Sequence, residues 1–339
     1  MTIEELENQL NNSKLDSIYL LYGEEQYLLE TILKKIKKAF GEIVNGINYI
    51  ILDESNIEQV ISDIETPAFG YEKKLILAKN TGLFKKEVKK NGERLSSLKE
   101  KLNEYIIQNI KLIRESSIIV FIEDSASKFK LYNTIEKYGV VCEFAFQKPI
   151  QIIKRLKGIC NAYKVNVEES TLHYFIECCG TNMQNLINEI RKLIEYVGEN
   201  GTIKKEDIDK LSIKQLESII FEVTDSLGKK DVKNALIVIN NLIASKEPIQ
   251  KIFITLYNHF KKLYITKICI KENADLAENL NLKSNQMFLV NKYKTQAKIF
   301  EEKELRKLLQ ELIDLDYKYK AGLIDINIGL EVILCTYCS

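Results

Sequence analysis

The sequence predicts an α/β N-terminal domain on a mostly parallel five-stranded sheet, followed by an all-α lid-sized domain and an all-α C-terminal bundle. Three observations carry this. Over the first 145 or so residues, short apolar runs alternate with helical patterns, which implies a parallel sheet covered on both faces. After Pro149 no convincing strand follows. From about Ser212 onward, apolar residues recur at the spacing of a helical bundle. The expected domains are residues 1–147, 148–211 and 212–339.

The strand candidates are Ile18–Tyr22, Asn48–Leu52, Leu75–Ala78, Ile118–Ile122 and Val140–Phe144, each short, apolar and bounded by polar or turn residues. Ser55 and Glu58 have the spacing of a capping box opening a helix over Asn56–Glu65, and Lys128–Lys137 is a further amphipathic run. Between Leu83 and Arg114 lies a long, lysine-rich, helical insertion. Its Lys85-Lys86 and Lys89-Lys90 are candidates for DNA phosphates, although a solvated helix face is the commoner meaning of such a run. Helices are expected at Pro149–Tyr163, Glu168–Cys178 and Met183–Val197, with a short one after Thr202. Gly180 and Gly198 stand where helix C-caps are wanted, and Asn182 can cap the helix after it. In the last domain, Leu236, Ile239, Leu242 and Ile243 mark one helix face, and Leu305, Leu308, Leu309 and Leu312 another.

The junction after the first strand is where a nucleotide-binding α/β domain carries its phosphate loop. Such a loop needs two glycines for backbone amides to wrap the phosphates, a lysine for the β/γ oxygens and a Ser/Thr for magnesium. Here Gly23 stands alone, followed by Glu24 and Glu25 in the expected first turn of the helix, where carboxylates repel a triphosphate. Gly-Lys-Ser/Thr occurs nowhere, and Gly228-Lys229-Lys230 has the wrong neighbours. The P-loop is degenerate, and no cofactor is expected.

Forty-nine Lys/Arg against forty-eight Asp/Glu leave a net charge of +1, so no global field draws the chain onto nucleic acid or membrane. No stretch reaches 18 apolar residues and the N-terminus is acidic and amphipathic, so the expectation is a cytoplasmic protein without a signal peptide. Seven cysteines scattered through apolar stretches read as buried thiols in a reducing compartment. Cys335 and Cys338 form one C-x-x-C, but with only His173 and His259 in the chain no metal site is expected.

In order and spacing, the phrases along this chain resemble the delta subunit of the bacterial DNA polymerase III clamp loader. The opening Tyr19-Leu-Leu-Tyr-Gly-Glu-Glu-Gln-Tyr-Leu is similar to that family's first strand and helix, including the lost Walker lysine. Thr66-Pro-Ala-Phe-Gly-Tyr-Glu-Lys-Lys-Leu-Ile-Leu-Ala-Lys-Asn is similar to its turn-then-strand segment. Gly180-Thr-Asn-Met-Gln-Asn-Leu-Ile-Asn-Glu-Ile-Arg-Lys-Leu resembles its lid helix, and Asp231-Val-Lys-Asn-Ala-Leu and Asp316-Tyr-Lys-Tyr-Lys-Ala-Gly resemble its collar domain.

The resemblance implies an AAA+-like first domain, a lid and an oligomerising collar, in a subunit without catalysis of its own. At the level of the whole complex the activity is that of a DNA-directed DNA polymerase, a nucleotidyltransferase. The implied partners are the sliding clamp, the tau/gamma and delta-prime subunits, and primer-template DNA. The family's clamp-binding element is an exposed hydrophobic pair before the third strand, which falls here on Ala68 and Phe69. The first member is usually a larger aliphatic, so the expectation is that Ile64 or Tyr71 supplies the missing area or that affinity is weaker.

Lys154, Arg155 and Lys157 are candidates for DNA-backbone contact, as are Lys292, Lys294 and Lys298, against a reading as surface solubility. Arg191 lies near where an active AAA+ protein keeps a nucleotide-sensing arginine, though an ion pair with Glu195 explains it equally. Glu123-Asp124 ends a strand as a Walker B pair would, but the reading favoured is two solvated carboxylates. The alternative functions weighed are a divergent nucleotide-binding AAA+ protein and a general DNA-binding scaffold. A Gly-Lys-Ser/Thr loop would mark the first, and strong, salt-sensitive DNA affinity the second.

Overall fold

The computed structural model describes residues 1–86 and 92–338 and divides into two compact units, Met1–Phe146 and Gln147–Ser339. Lys89 and Lys90 lie outside the described residues.

The first unit runs α1 (Ile3–Asn11), β1 (Ile18–Tyr22), α2 (Gln26–Phe40), β2 (Tyr49–Leu52), α3 (Val60–Glu65), β3 (Lys74–Lys79), α4 (Gly92–Ser116), β4 (Ser117–Glu123), α5 (Lys130–Tyr138) and β5 (Val140–Glu143). All strand pairs are parallel, in the order β2-β3-β4-β1-β5. Burial of the central strands on both faces explains why they read as unbroken apolar runs: Ile18–Tyr22 and Ser117–Glu123 are buried at every position. Alternate residues Ile18, Leu20 and Tyr22 of β1, and Ile119 and Phe121 of β4, pack on α3, α4 and α5. Leu28, Leu29, Ile32 and Ile36 of α2 are buried, with α1 beside them.

Three local expectations need correction. The Ser55/Glu58 capping box does not form; Ser55 bonds to Asp53 Oδ1, the chain enters through a 3₁₀ turn at Ile57–Gln59, and Glu58 pairs with Arg94. The stretch over 83–114 is less an insertion than the crossover from β3 to β4. Its helix α4 buries Leu98, Leu102, Ile106 and Ile113 in the core beneath the sheet and breaks at Asn109. Glu24 and Glu25 precede helix α2, with Glu25 at its N-cap and only 6% exposed.

The second unit begins with α6 (Pro149–Ala162), β6 (Asn166–Val167), α7 (Glu169–Cys179), α8 (Met183–Val197), β7 (Thr202–Ile203) and α9 (Lys205–Leu211). The paired two-residue strands β6 and β7 were not legible as strands, being too short to show alternation. Gly180 and Gly198 close α7 and α8 with φ of 78° and 71°, and Asn182 Oδ1 accepts from the Asn185 amide at 3.0 Å.

The remaining helices are α10 (Leu216–Gly228), α11 (Val232–Ala244), α12 (Ile249–Glu272), α13 (Leu276–Asn279), α14 (Leu289–Ala297), α15 (Glu302–Lys320) and α16 (Ile326–Cys338). They share one core that includes Ile220, Ile239, Leu256, Phe260, Leu305, Leu308, Leu312 and Leu334. One polar node lies inside it. His259 Nε2 stands 2.6 Å from Gln296 Oε1 and 3.1 Å from Thr224 Oγ1, while Gln296 Nε2 donates to the Phe221 carbonyl at 3.1 Å. Burial pushes the His259 imidazole down to about 4.

Candidate functional site

The most exposed large hydrophobic side chain among the described residues is Phe69, at 84%. The backbone explains its position. Pro67 forces the preceding Thr66 into extended geometry (φ −71°, ψ 126°), so α3 ends there. Two residues on, the Tyr71 amide donates to the Ala68 carbonyl at 3.0 Å and closes a tight turn with Phe69 and Gly70 at its centre. Gly70 has φ +77°, the left-handed conformation that the third position of such a turn requires. The phenylalanine at the turn's second position projects outward with most of its side chain uncovered.

The turn is held from beneath. Lys74, the first residue of β3 and 3% exposed, donates through Nζ to the Asp63 carbonyl at 2.8 Å and the Thr66 carbonyl at 2.6 Å. Burial lowers the Lys74 pKa, an effect the Asp63 carboxylate partly offsets. Lys73 Nζ donates to the Arg114 carbonyl at 2.7 Å, joining the turn to the end of α4. Of the other residues expected at this surface, Ala68 and Tyr71 are half-buried. Ile64 is not available to a partner: it is 2% exposed and packs in the core with Ile57 and Val60, whose three- and four-residue spacing marks a core stripe.

At the β1–α2 junction the Gly23 and Glu25 backbone amides are spent on neighbouring strand ends. Gly23 N donates to the Glu123 carbonyl at 3.1 Å, Glu25 N to the Phe144 carbonyl at 2.8 Å, and Phe144 N returns to the Tyr22 carbonyl at 2.6 Å. Gly23 has φ +135°, and a Cβ there would stand 2.4 Å from the Phe144 oxygen. The junction is a tight splice between strand ends.

Glu123 is buried, not solvated as expected from its place at a strand end. Its Oε1 accepts from the Thr81 amide at 2.8 Å and from Thr81 Oγ1 at 2.5 Å, tying the end of β4 to the loop after β3. Burial raises its pKa, and the Thr81 bonds offset this only in part. The sequence could not show it, because the partner is 42 residues away.

The basic candidates lie on the second unit. Lys154 is exposed and Arg155 and Lys157 are half-exposed on α6, with Lys157 Nζ 3.2 Å from Glu169. Lys292 is 2.7 Å from Glu177. Arg191 is exposed on α8, His173 is exposed on α7, and His259 belongs to the bundle core. Among the described residues, no cluster of three or more His, Cys, Asp or Glu could hold a metal ion, and no helix is long and apolar enough to cross a membrane.

Comparison with known proteins agrees with this architecture. Residues 19–145 match the family described as "DNA polymerase III, delta subunit", and residues 217–337 match "DNA polymerase III delta subunit, C-terminal domain". A probable DNA polymerase III subunit delta from Aquifex aeolicus (strain VF5) is 29% identical over 318 residues, covering 89% of this chain and 85% of that one. The DNA polymerase III subunit delta of Bacillus subtilis (strain 168) is 24% identical over 331 residues, covering 96% and 94%. The solved Bacillus subtilis DNA clamp loader delta protein superposes with a TM-score of 0.75 over 99% of each chain at 22% identity, a likeness of fold.

Proposed function

The chain belongs to the DNA polymerase III delta subunit family, and on that premise we propose that it binds the sliding clamp and opens the ring for loading onto primed DNA. The observation that carries the reading is Phe69, 84% exposed at the apex of a turn anchored to the core. Buried in a clamp pocket, such a side chain contributes about 1.5–3 kcal/mol, the scale of an interface hot spot.

Ring opening requires no chemistry from this subunit. A closed ring opens when a partner binds the open form more tightly than the closed one, and only by that difference in affinity. A knob on a rigid turn suits this role, because little ordering entropy is lost when it docks.

In the same reading, residues 1–147 are the clamp-contacting domain, 148–211 the lid and 212–339 the collar that joins tau/gamma and delta-prime subunits. Lys154, Arg155 and Lys157 face primer-template DNA inside the assembled, cytoplasmic loader. The subunit contributes to the polymerase complex without catalysis of its own.

The test is binding of the purified chain to the sliding clamp of the same organism, without nucleotide. Phe69→Ala is expected to weaken binding by tenfold or more, about 1.4 kcal/mol. Wild-type binding that the substitution leaves unchanged would move the contact away from this turn. A wild type that does not bind the clamp would overturn the reading.

A further inference from the structure

Resting on the clamp-contacting reading above, we propose that Leu112 is the second apolar anchor of the Phe69 surface, supplying the area that Ala68 lacks. Leu75 of β3 and Ile118 of β4 are register partners in adjacent parallel strands. Phe69 stands six residues before Leu75 and Leu112 six before Ile118, so both leave the sheet at the same, N-terminal end. The bond from Lys73 Nζ to the Arg114 carbonyl, 2.7 Å, ties the Phe69 turn to the last turn of α4. Further back, α4 packs against α3, where Leu102 and Ile106 share a core with Val60 and Ile64. Helix α4 therefore runs alongside α3 and the turn that follows it.

After the break at Asn109, Ile113 still faces the core while Leu112 is left 45% exposed. Glu72, Lys111, Arg114 and Glu115 are exposed on the same two segments. Apolar anchors with polar and charged residues around them are the anatomy of a specific protein interface. The occupant is the clamp, because the Lys73–Arg114 bond holds this segment to the turn that bears Phe69. Ile107, equally exposed on α4 but before the break, lies farther from the sheet end and serves as the control.

The experiment measures clamp affinity for the full chain carrying Leu112→Ala, Leu112→Met, Phe69→Ala or Ile107→Ala, with thermal melts confirming that each folds. Leu112→Ala is expected to weaken binding by about fivefold or more, Leu112→Met to restore it, and Ile107→Ala to stay within about twofold of wild type. Loss with Phe69→Ala and none with Leu112→Ala overturns this proposal and leaves the clamp reading standing. No loss with either overturns the placement of the contact and this proposal with it. Loss with Leu112→Ala alone overturns the pairing with Phe69. If instead the isolated chain self-associates in sedimentation through Leu112 while clamp affinity is unmoved, the occupant is a second copy and the proposal fails.

Discussion

Lys74 Nζ donates to the Thr66 carbonyl at 2.6 Å, fixing the first residue of β3 to the residue at which α3 ends. The loop that presents Phe69 therefore starts and finishes on one hydrogen bond, with a second to Asp63 beside it. Its conformation is set by the core, although its apex is exposed.

Replacing Lys74 with methionine keeps the apolar stem and removes the donor. Two carbonyls lose their partner, so a destabilisation of about 1–3 kcal/mol is expected in urea unfolding. Clamp affinity should fall as well, without any change to Phe69 itself. Unchanged stability would mean that water replaces the ammonium.

Gly70→Ala and Gly23→Ala should separate conformation from space. At Gly70 a Cβ meets nothing within 4 Å, so only the φ of +77° is penalised, at about 1–2 kcal/mol. At Gly23 the Cβ collides with the Phe144 backbone oxygen as well, and a loss of about 3 kcal/mol or more is expected. Equal losses at the two sites would contradict the described junction.

Glu123 gives a pH signature. Its folded-state pKa is raised above 4.5, so the folded chain holds that proton more tightly than the unfolded one. Stability from this group is present below pH 4.5 and is lost as pH rises through the folded pKa. Glu123→Gln should remove that loss, visible as a smaller change in urea midpoint between pH 4 and pH 7. A variant with the wild-type slope would place the titration elsewhere.

His259 acts in the opposite direction. Its pKa is lowered from 6.5 to about 4 in the folded bundle, chiefly by burial, with the Lys262 ammonium adding a little. The unfolded chain takes up the proton first, so stability falls as pH drops from 6.5 toward 4, by roughly 3 kcal/mol from this one group. His259→Gln should flatten that acid limb at some cost in stability at neutral pH. Imidazole titration followed by NMR would check the value directly.

The sheet was legible because parallel strands buried on both faces leave uninterrupted apolar runs, and all five strands lie within a residue or so of the expected positions. Helix α4 was harder to place, since lysines interleaved with Leu98, Leu102 and Ile106 masked a core-facing stripe. Ile64 lies close to Phe69 in sequence, but its spacing from Ile57 and Val60 puts it in the core rather than at the surface. Pro67 and Gly70, both readable in the sequence, bracket the turn that directs Phe69 outward. Nothing in the sequence joins Leu112 to that turn, because the link passes through strand register and a single lysine bond.

The splice between β1 and α2 also bears on what building a phosphate loop there would take. With the Gly23 and Glu25 amides already committed to the Glu123 and Phe144 carbonyls, restoring a lysine and a threonine by point substitution would supply side chains but no cradle. Recovery would need added loop length and the rupture of bonds that now hold three strand ends together. A phosphate loop at this position would therefore have to replace the junction as a whole, because the bonds it would displace are the ones that close the sheet end.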